Sequence, residues 1–138
     1  MDAKTTNLTD VVFFTFKQMI GDNGTLIAME NEKDIPMTIK RIFYVFNSPK
    51  EELRGKHAHK KVNQILICLS GKCTVFVDDS KKIKSFVLDS PEKALFIPNG
   101  IWASQEYNKE TILLVLCDGE YSEGEYIRSY EEFKKTKS

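Results

Sequence analysis

Short apolar, β-branched and aromatic runs recur along the chain, each closed by turn-forming residues, and this rhythm predicts an all-β sandwich or barrel. Strands are expected over 11–16, 25–30, 39–46, 64–69, 73–77, 83–88, 94–97 and 111–117. Residues 21–24, Ser48-Pro49, Ser70-Gly71, Asp78-Asp79-Ser80, Ser90-Pro91, Pro98-Asn99-Gly100 and Asp118-Gly119 supply the turn chemistry between them. Within 73–77 the alternation assigns Cys73, Val75 and Val77 to one face and Thr74 and Phe76 to the other. After Glu123 the period changes: Tyr126, Tyr130 and Phe133 recur at helical spacing among charges, which predicts one amphipathic helix over about 123–135 lying on the sandwich.

Composition adds bounds to this picture. A chain of 138 residues, 41 % hydrophobic and 29 % charged, is expected to form one domain spanning 1–138, with its core over about 11–120. Acidic and basic residues balance at 20 each, so no net field draws the protein to nucleic acid or to an anionic membrane, and neither is an expected partner. No apolar run approaches the ~20 residues of a membrane span, and the N-terminal residues lack a signal-peptide pattern, so the expected location is the cytoplasm. Cys68, Cys73 and Cys117 lie among apolar residues without CxxC spacing and read as reduced core residues.

Chemistry concentrates at one place. Both histidines of the chain fall in Arg54-Gly55-Lys56-His57-Ala58-His59, just before the apolar strand over 64–69. In an extended segment residues two apart share a face, so the two imidazoles are expected side by side. Arg41, Arg54 and Arg128 are the only arginines, and two of them fall near the pair in sequence. Arginine's planar fork suits phosphate oxygens better than a lysine point charge does.

His57, His59, Gln64 and Gly71 match the spacing of the first motif of the cupin superfamily, and Pro98, Gly100 and Ala103 stand at the positions of the second. The resemblance implies a cupin jelly roll, or double-stranded β-helix, here with one short C-terminal helix. Metal-binding cupins place glutamate and histidine where this chain has Gln64 and Ala103. Two imidazoles and an amide are too few strong ligands for zinc, iron or manganese, so no metal is expected. Imidazole, with its pKa near 6.5, is suited instead to moving protons. A carbon beside a ketone is acidified by enolate resonance, and an enediol intermediate lets the carbonyl move by one carbon with no cofactor.

A closer likeness runs through residues 39–46, 54–61 and 64–71 and returns at Asp118 to Tyr121 and in Tyr126-Ile127-Arg128-Ser129-Tyr130 with Phe133. These blocks resemble the dTDP-4-dehydro-6-deoxyglucose 3,4-ketoisomerases. The resemblance implies a dTDP-linked 4-keto-6-deoxyglucose as substrate and a 3-keto-6-deoxyhexose as product. It implies His57 and His59 as the acid/base pair, with His59 taking the C3 proton and His57 assisting reprotonation at C4. Tyr44 would hydrogen-bond the sugar or the enediolate, Arg54 would stabilise oxyanion charge or hold the pyrophosphate, and Arg41 is a second pyrophosphate candidate. Gln64 would bond the sugar or a histidine, and Trp102, the only tryptophan, would pack on the base or the sugar ring at the barrel rim. The resemblance also implies a homodimer with exchanged N-terminal strands. Two other readings stay open at this level: a 3,5-epimerase of a similar nucleotide sugar, and a non-catalytic sugar-binding cupin. The configuration of the product at C4 and the identity of the nucleotide base are not readable from the residues.

Overall fold

The computed structural model describes residues 1–50, 52–108 and 110–138. Two five-stranded antiparallel sheets face one another as a cupin-like β-sandwich. The first sheet is ordered β1 (Val12–Thr15), β9 (Lys93–Ile97), β6 (Gln64–Ser70), β11 (Ile112–Cys117), β4 (Arg41–Val45). The second is ordered β12 (Tyr126–Ile127), β5 (Leu53–His59), β10 (Trp102–Tyr107), β7 (Cys73–Asp78), β8 (Ile83–Leu88). A separate hairpin, β2 (Met19–Gly21) with β3 (Gly24–Leu26), stands apart from both sheets.

The inward faces meet in a core that includes Leu66, Cys68, Cys73, Val75, Val77, Leu95, Ala103, Leu113, Val115 and Cys117. The alternation expected for 73–77 is present: Cys73, Val75 and Val77 are fully buried, while Thr74 and Phe76 on the other face are half-buried. The three cysteines are free and buried. In β6 both faces are apolar, because Ile65 and Ile67 pack outward against Ile35, Met37 and Leu116 in a second cluster. Ile27, Met29 and Ile39 join that cluster, so the chain between β3 and β4 covers the outer face of the first sheet.

The C-terminal helix differs from the expectation. It runs Tyr130–Lys137, capped by the Ser129 side chain, which accepts from the Glu132 N–H. Upstream, Glu123–Glu125 form a 3₁₀ turn and Tyr126–Ile127 form β12, paired with the edge of β5. The helical spacing of Tyr126 with Tyr130 and Phe133 is thus a coincidence across a strand and a helix. Phe133 is buried with Ala58 and Ile127, and Trp102 and Tyr130 pack beside them, so α1 covers the outer face of the second sheet.

Candidate active site

Strand β5 carries the histidines, and its geometry departs from simple alternation. Against β10, Ala103 pairs with His57, but Ser104 pairs with Gly55 and Gln105 with Arg54, so Lys56 is an extra residue in a β-bulge. Gly55 (φ 85°) and Lys56 (φ 51°) both lie in the left-handed region that the bulge requires. A Cβ at Gly55 would stand 2.8 Å from Gln105 Oε1 and 3.2 Å from the Ala103 carbonyl oxygen, so only glycine fits. The extra residue turns Arg54 onto the face of His57, and both line one interior cavity of about 80 Å³ with Phe43, Gln64, Gln105 and Tyr107. A larger groove of about 870 Å³ lies elsewhere, bordered by Asp10, Phe14, Glu32, Ile35 and Phe96, and holds neither histidine.

The two imidazoles meet edge to face with centroids 5.1 Å apart, as the shared face predicts. They have different environments. His57 Nδ1 lies 3.0 Å from the Gly55 carbonyl oxygen. A carbonyl only accepts, so Nδ1 carries the proton and the neutral ring keeps its lone pair at Nε2. Burial lowers the pKa of His57 below imidazole's ordinary value, and the Gly55 bond opposes that shift. His59 is 7 % exposed, and neither of its ring nitrogens has a partner among the described residues. Burial, reinforced by His57, Arg41 and Arg128, lowers its pKa to about 3, so His59 is neutral at physiological pH.

Tyr126 closes the pair from the β12 side. Its register partner is His59, which puts both side chains on the inward face. Its ring centroid is 4.9 Å from that of His57 and 4.6 Å from that of His59. Arg41 Nη1 donates to the Tyr126 hydroxyl at 3.1 Å, and the same guanidinium lies 4.6 Å from the ring centre of Phe43 and 4.9 Å from that of Tyr121. Arg128 covers the Tyr126 ring at 4.4 Å and forms a fork with Glu123, at 2.8 Å through Nε and 3.2 Å through Nη2. Arg128 and the Tyr121 hydroxyl hold the Glu123 carboxyl down at about 2, so this rim stays ionised.

The structure gathers His57, His59, Arg54, Arg41 and Gln64, and separates two other candidates from them. Tyr44 alternates outward on β4, is 63 % exposed and stacks on Phe46, and its inward neighbours are Phe43 and Val45. Trp102 faces the opposite side of β10 from Ala103 and packs against Tyr130 at 5.3 Å and Phe133 at 5.7 Å, beneath α1 and away from the histidines. Gln64 bonds no histidine; its amide donates to Cys117 Sγ at 3.5 Å. Ala103 presents only a methyl group opposite His57. Among the described residues no three His, Cys, Asp or Glu side chains converge where a metal would be held.

Tyr126 is the site residue that the hydrophobic pattern concealed. Its available signal was the Tyr-Ile-Arg-x-Tyr block, obscured by the helical spacing that contains it. Tyr107 and Gln105 also line the cavity from a strand that the pattern did not predict. Tyr107 is buried, and that burial pushes its hydroxyl up to about 12.

Residues 9–138 match the family model FdtA, described as WxcM-like, C-terminal. The chain is 42 % identical over 121 residues, 87 % of each protein, to the TDP-4-oxo-6-deoxy-alpha-D-glucose-3,4-oxoisomerase of Aneurinibacillus thermoaerophilus. Among solved structures it is similar to a 3,4-ketoisomerase from Helicobacter canadensis, at 37 % identity and TM-score 0.90, covering 94 % of this chain and 98 % of the other. It is similar also to a histidine-to-asparagine mutant of the 3,4-ketoisomerase QdtA from Thermoanaerobacterium thermosaccharolyticum in complex with TDP-4-keto-6-deoxyglucose. There the identity is 32 %, the TM-score 0.90 and the coverage 94 % of both chains. A dTDP-4-dehydrorhamnose 3,5-epimerase from Bacillus anthracis, at 17 % identity and TM-score 0.75, shares the fold alone.

Proposed function

Because the chain belongs to the FdtA family of WxcM-like, C-terminal domains, we infer that it is a sugar 3,4-ketoisomerase converting TDP-4-keto-6-deoxyglucose to a TDP-3-keto-6-deoxyhexose. The observation that carries the chemistry is His57, whose Nδ1–H is bound to the Gly55 carbonyl and whose free Nε2 belongs to a ring lining the cavity. That lone pair takes the proton from C3, and the electrons form a C3=C4 double bond with charge on O4. The Gly55 carbonyl favours the imidazolium that results. Returning the proton to C4 while O3 loses its hydroxyl proton to O4 leaves the ketone at C3, with every atom accounted for.

The resemblance suggested His59 as the base at C3 and His57 as the aid to reprotonation at C4, whereas this assignment gives both carbon-bound transfers to His57. A ring held neutral down to about pH 3 is too weak a base for a carbon acid, so His59 serves instead as an N–H donor to a sugar oxygen. Arg54 and Gln64 line the cavity with His57, and under this reading Arg54 holds the pyrophosphate and Gln64 bonds the sugar. Arg41 acts through Tyr126.

The protein works as a homodimer in the cytoplasm under this reading. Met19, Ile20 (77 % exposed) and Leu26 on the β2–β3 hairpin, with Ile42 and Tyr44 on the β4 edge, leave apolar surface that a second copy would cover. The hairpin is therefore the N-terminal element we assign to the exchange. No helix of the described residues is long and apolar enough to cross a membrane.

The decisive experiment is incubation with TDP-4-keto-6-deoxyglucose in heavy water, followed by NMR. A carbonyl at C3 is expected, with deuterium at C4 to the extent that the proton on His57 exchanges with solvent before its return. A carbonyl still at C4 with inverted C3 or C5 would make the protein an epimerase, and an inactive chain that binds TDP would make it a binding module.

A further inference from the structure

His59 lies beyond the ladder that holds the rest of β5. The pairing of β5 with β10 reaches His57, opposite Ala103, and goes no further. Past that point two short connections hold the strand. On one side the Gly100 N–H donates to the His59 carbonyl oxygen at 2.8 Å. On the other, the two residues of β12 pair with Ala58 and His59, and two residues make too short a ladder to fix a strand by themselves. Ile127 anchors the downstream end of β12, buried against Ala58 and Phe133. The upstream end, which carries Tyr126, is tied down by Glu125. The Glu125 carbonyl oxygen accepts from the Lys60 N–H at 3.0 Å. Its Oε1 accepts from two consecutive N–H groups, that of Lys61 and, at 2.7 Å, that of Val62. One residue thus clasps three successive amides immediately after His59.

We propose that Glu125 is a positioning residue, whose clasp on residues 60–62 fixes the His59 ring against Tyr126; its consequence for turnover rests on the ketoisomerase reading above. The two histidines differ in what orients them. His57 is set by its bond to the Gly55 carbonyl. His59 has both ring nitrogens buried and without a partner among the described residues, so no hydrogen bond to them sets the angle of its ring. Packing sets it instead, through His57 at 5.1 Å and Tyr126 at 4.6 Å between ring centres. That packing is only as firm as the backbone beneath it. With residues 60–62 tied to Glu125, neither β12 nor the turn after His59 can shift without breaking bonds to a carboxylate oxygen, which are stronger than those between neutral groups.

The test compares wild type with Glu125→Ala and Glu125→Gln. Lys61 is exposed and Val62 half-buried, so water takes over their N–H groups in the alanine variant and the fold is kept. The chain has two histidines, and NMR follows both imidazoles. His59 is held to about 3 chiefly by burial, and further by His57, Arg41 and Arg128. In Glu125→Ala it should titrate higher by about one pH unit or more, as Tyr126 loosens and the ring gains water. His57 should move less, because the Gly55 carbonyl still orients it. On TDP-4-keto-6-deoxyglucose, kcat should fall about 10- to 100-fold, with TDP affinity within about threefold of wild type. Glu125→Gln keeps an Oε1 acceptor for both N–H groups and should bring kcat back to within about threefold. An unmoved His59 titration in the alanine variant would overturn the proposal, as would a kcat within about threefold of wild type. Equal shifts of both imidazoles would also overturn it, by reducing Glu125 to a general structural role. If the alanine variant does not fold, Glu125→Asp, which draws the oxygen back by one methylene, should show the same His59 shift, and a wild-type titration there would refute the clasp. A wild-type protein that leaves the carbonyl at C4 refutes the ketoisomerase reading itself, whereas the His59 titration decides the clasp in either case.

Discussion

Arg54 and His57, an odd number of residues apart on β5, line the same cavity because Lys56 is an extra residue in the pairing with β10. In a regular strand they would face opposite sides of the sheet. The bulge does two jobs, since it aims the guanidinium inward and brings the Gly55 carbonyl to His57 Nδ1.

Gly55→Ala should therefore damage stability and activity together. The added Cβ meets Gln105 and the Ala103 carbonyl, and alanine is strained at φ 85°. A loss of about 1–3 kcal/mol is expected in denaturant unfolding, with a fall in kcat/KM from the misplaced arginine and histidine. Unchanged stability would show that the bulge tolerates a side chain.

His57→Asn should lower kcat by roughly 10² to 10⁴ while leaving TDP binding intact, as removal of a general base does. Calorimetric titration with TDP separates the two effects. Because burial lowers the His57 pKa, the base stays unprotonated below imidazole's ordinary range. The acid limb of kcat/KM should accordingly lie below pH 6.5, and a limb at or above that value would contradict the assignment.

His59 ties stability to pH with a definite sign. Its folded-state pKa, about 3, lies below the 6.5 of the unfolded chain, so between these values the unfolded state binds the extra proton. Its contribution is fully present above pH 6.5 and is lost as pH falls towards 3. Thermal unfolding of wild type across this window should show falling Tm, and His59→Gln should flatten the dependence. An identical slope in the variant would remove His59 as its source.

Tyr44→Phe and Trp102→Phe test the two residues that the structure places outside the cavity. Both variants should keep the wild-type KM, and only Trp102→Phe should lose stability, by about 1 kcal/mol, through reduced packing against Tyr130 and Phe133 beneath α1. A raised KM in either would place that side chain against the substrate.

The strands that pack a dry core were legible in the amino-acid order: β4, β6, β7, β8, β9 and β11 fall where apolar runs and turn residues put them. So was the histidine pair, because period-two alternation holds for His57 and His59 at the end of β5 beyond the bulge. Two of the strands that build the cavity, β5 and β10, were not predicted as strands. The sequences Leu-Arg-Gly-Lys-His-Ala-His of β5 and Trp-Ala-Ser-Gln-Glu-Tyr of β10 are too polar to announce strands, since their inward side chains line a cavity. β12 has only two residues and exists through its pairing with β5. The bulge, the inward turn of Arg54, the outward turn of Tyr44 and the seat of Tyr126 over both imidazoles all depend on cross-strand register. Hydrophobic alternation specifies register where one face is apolar, but β5 is polar and bulged and β12 has two residues, so their pairings are fixed only by partners distant in the chain.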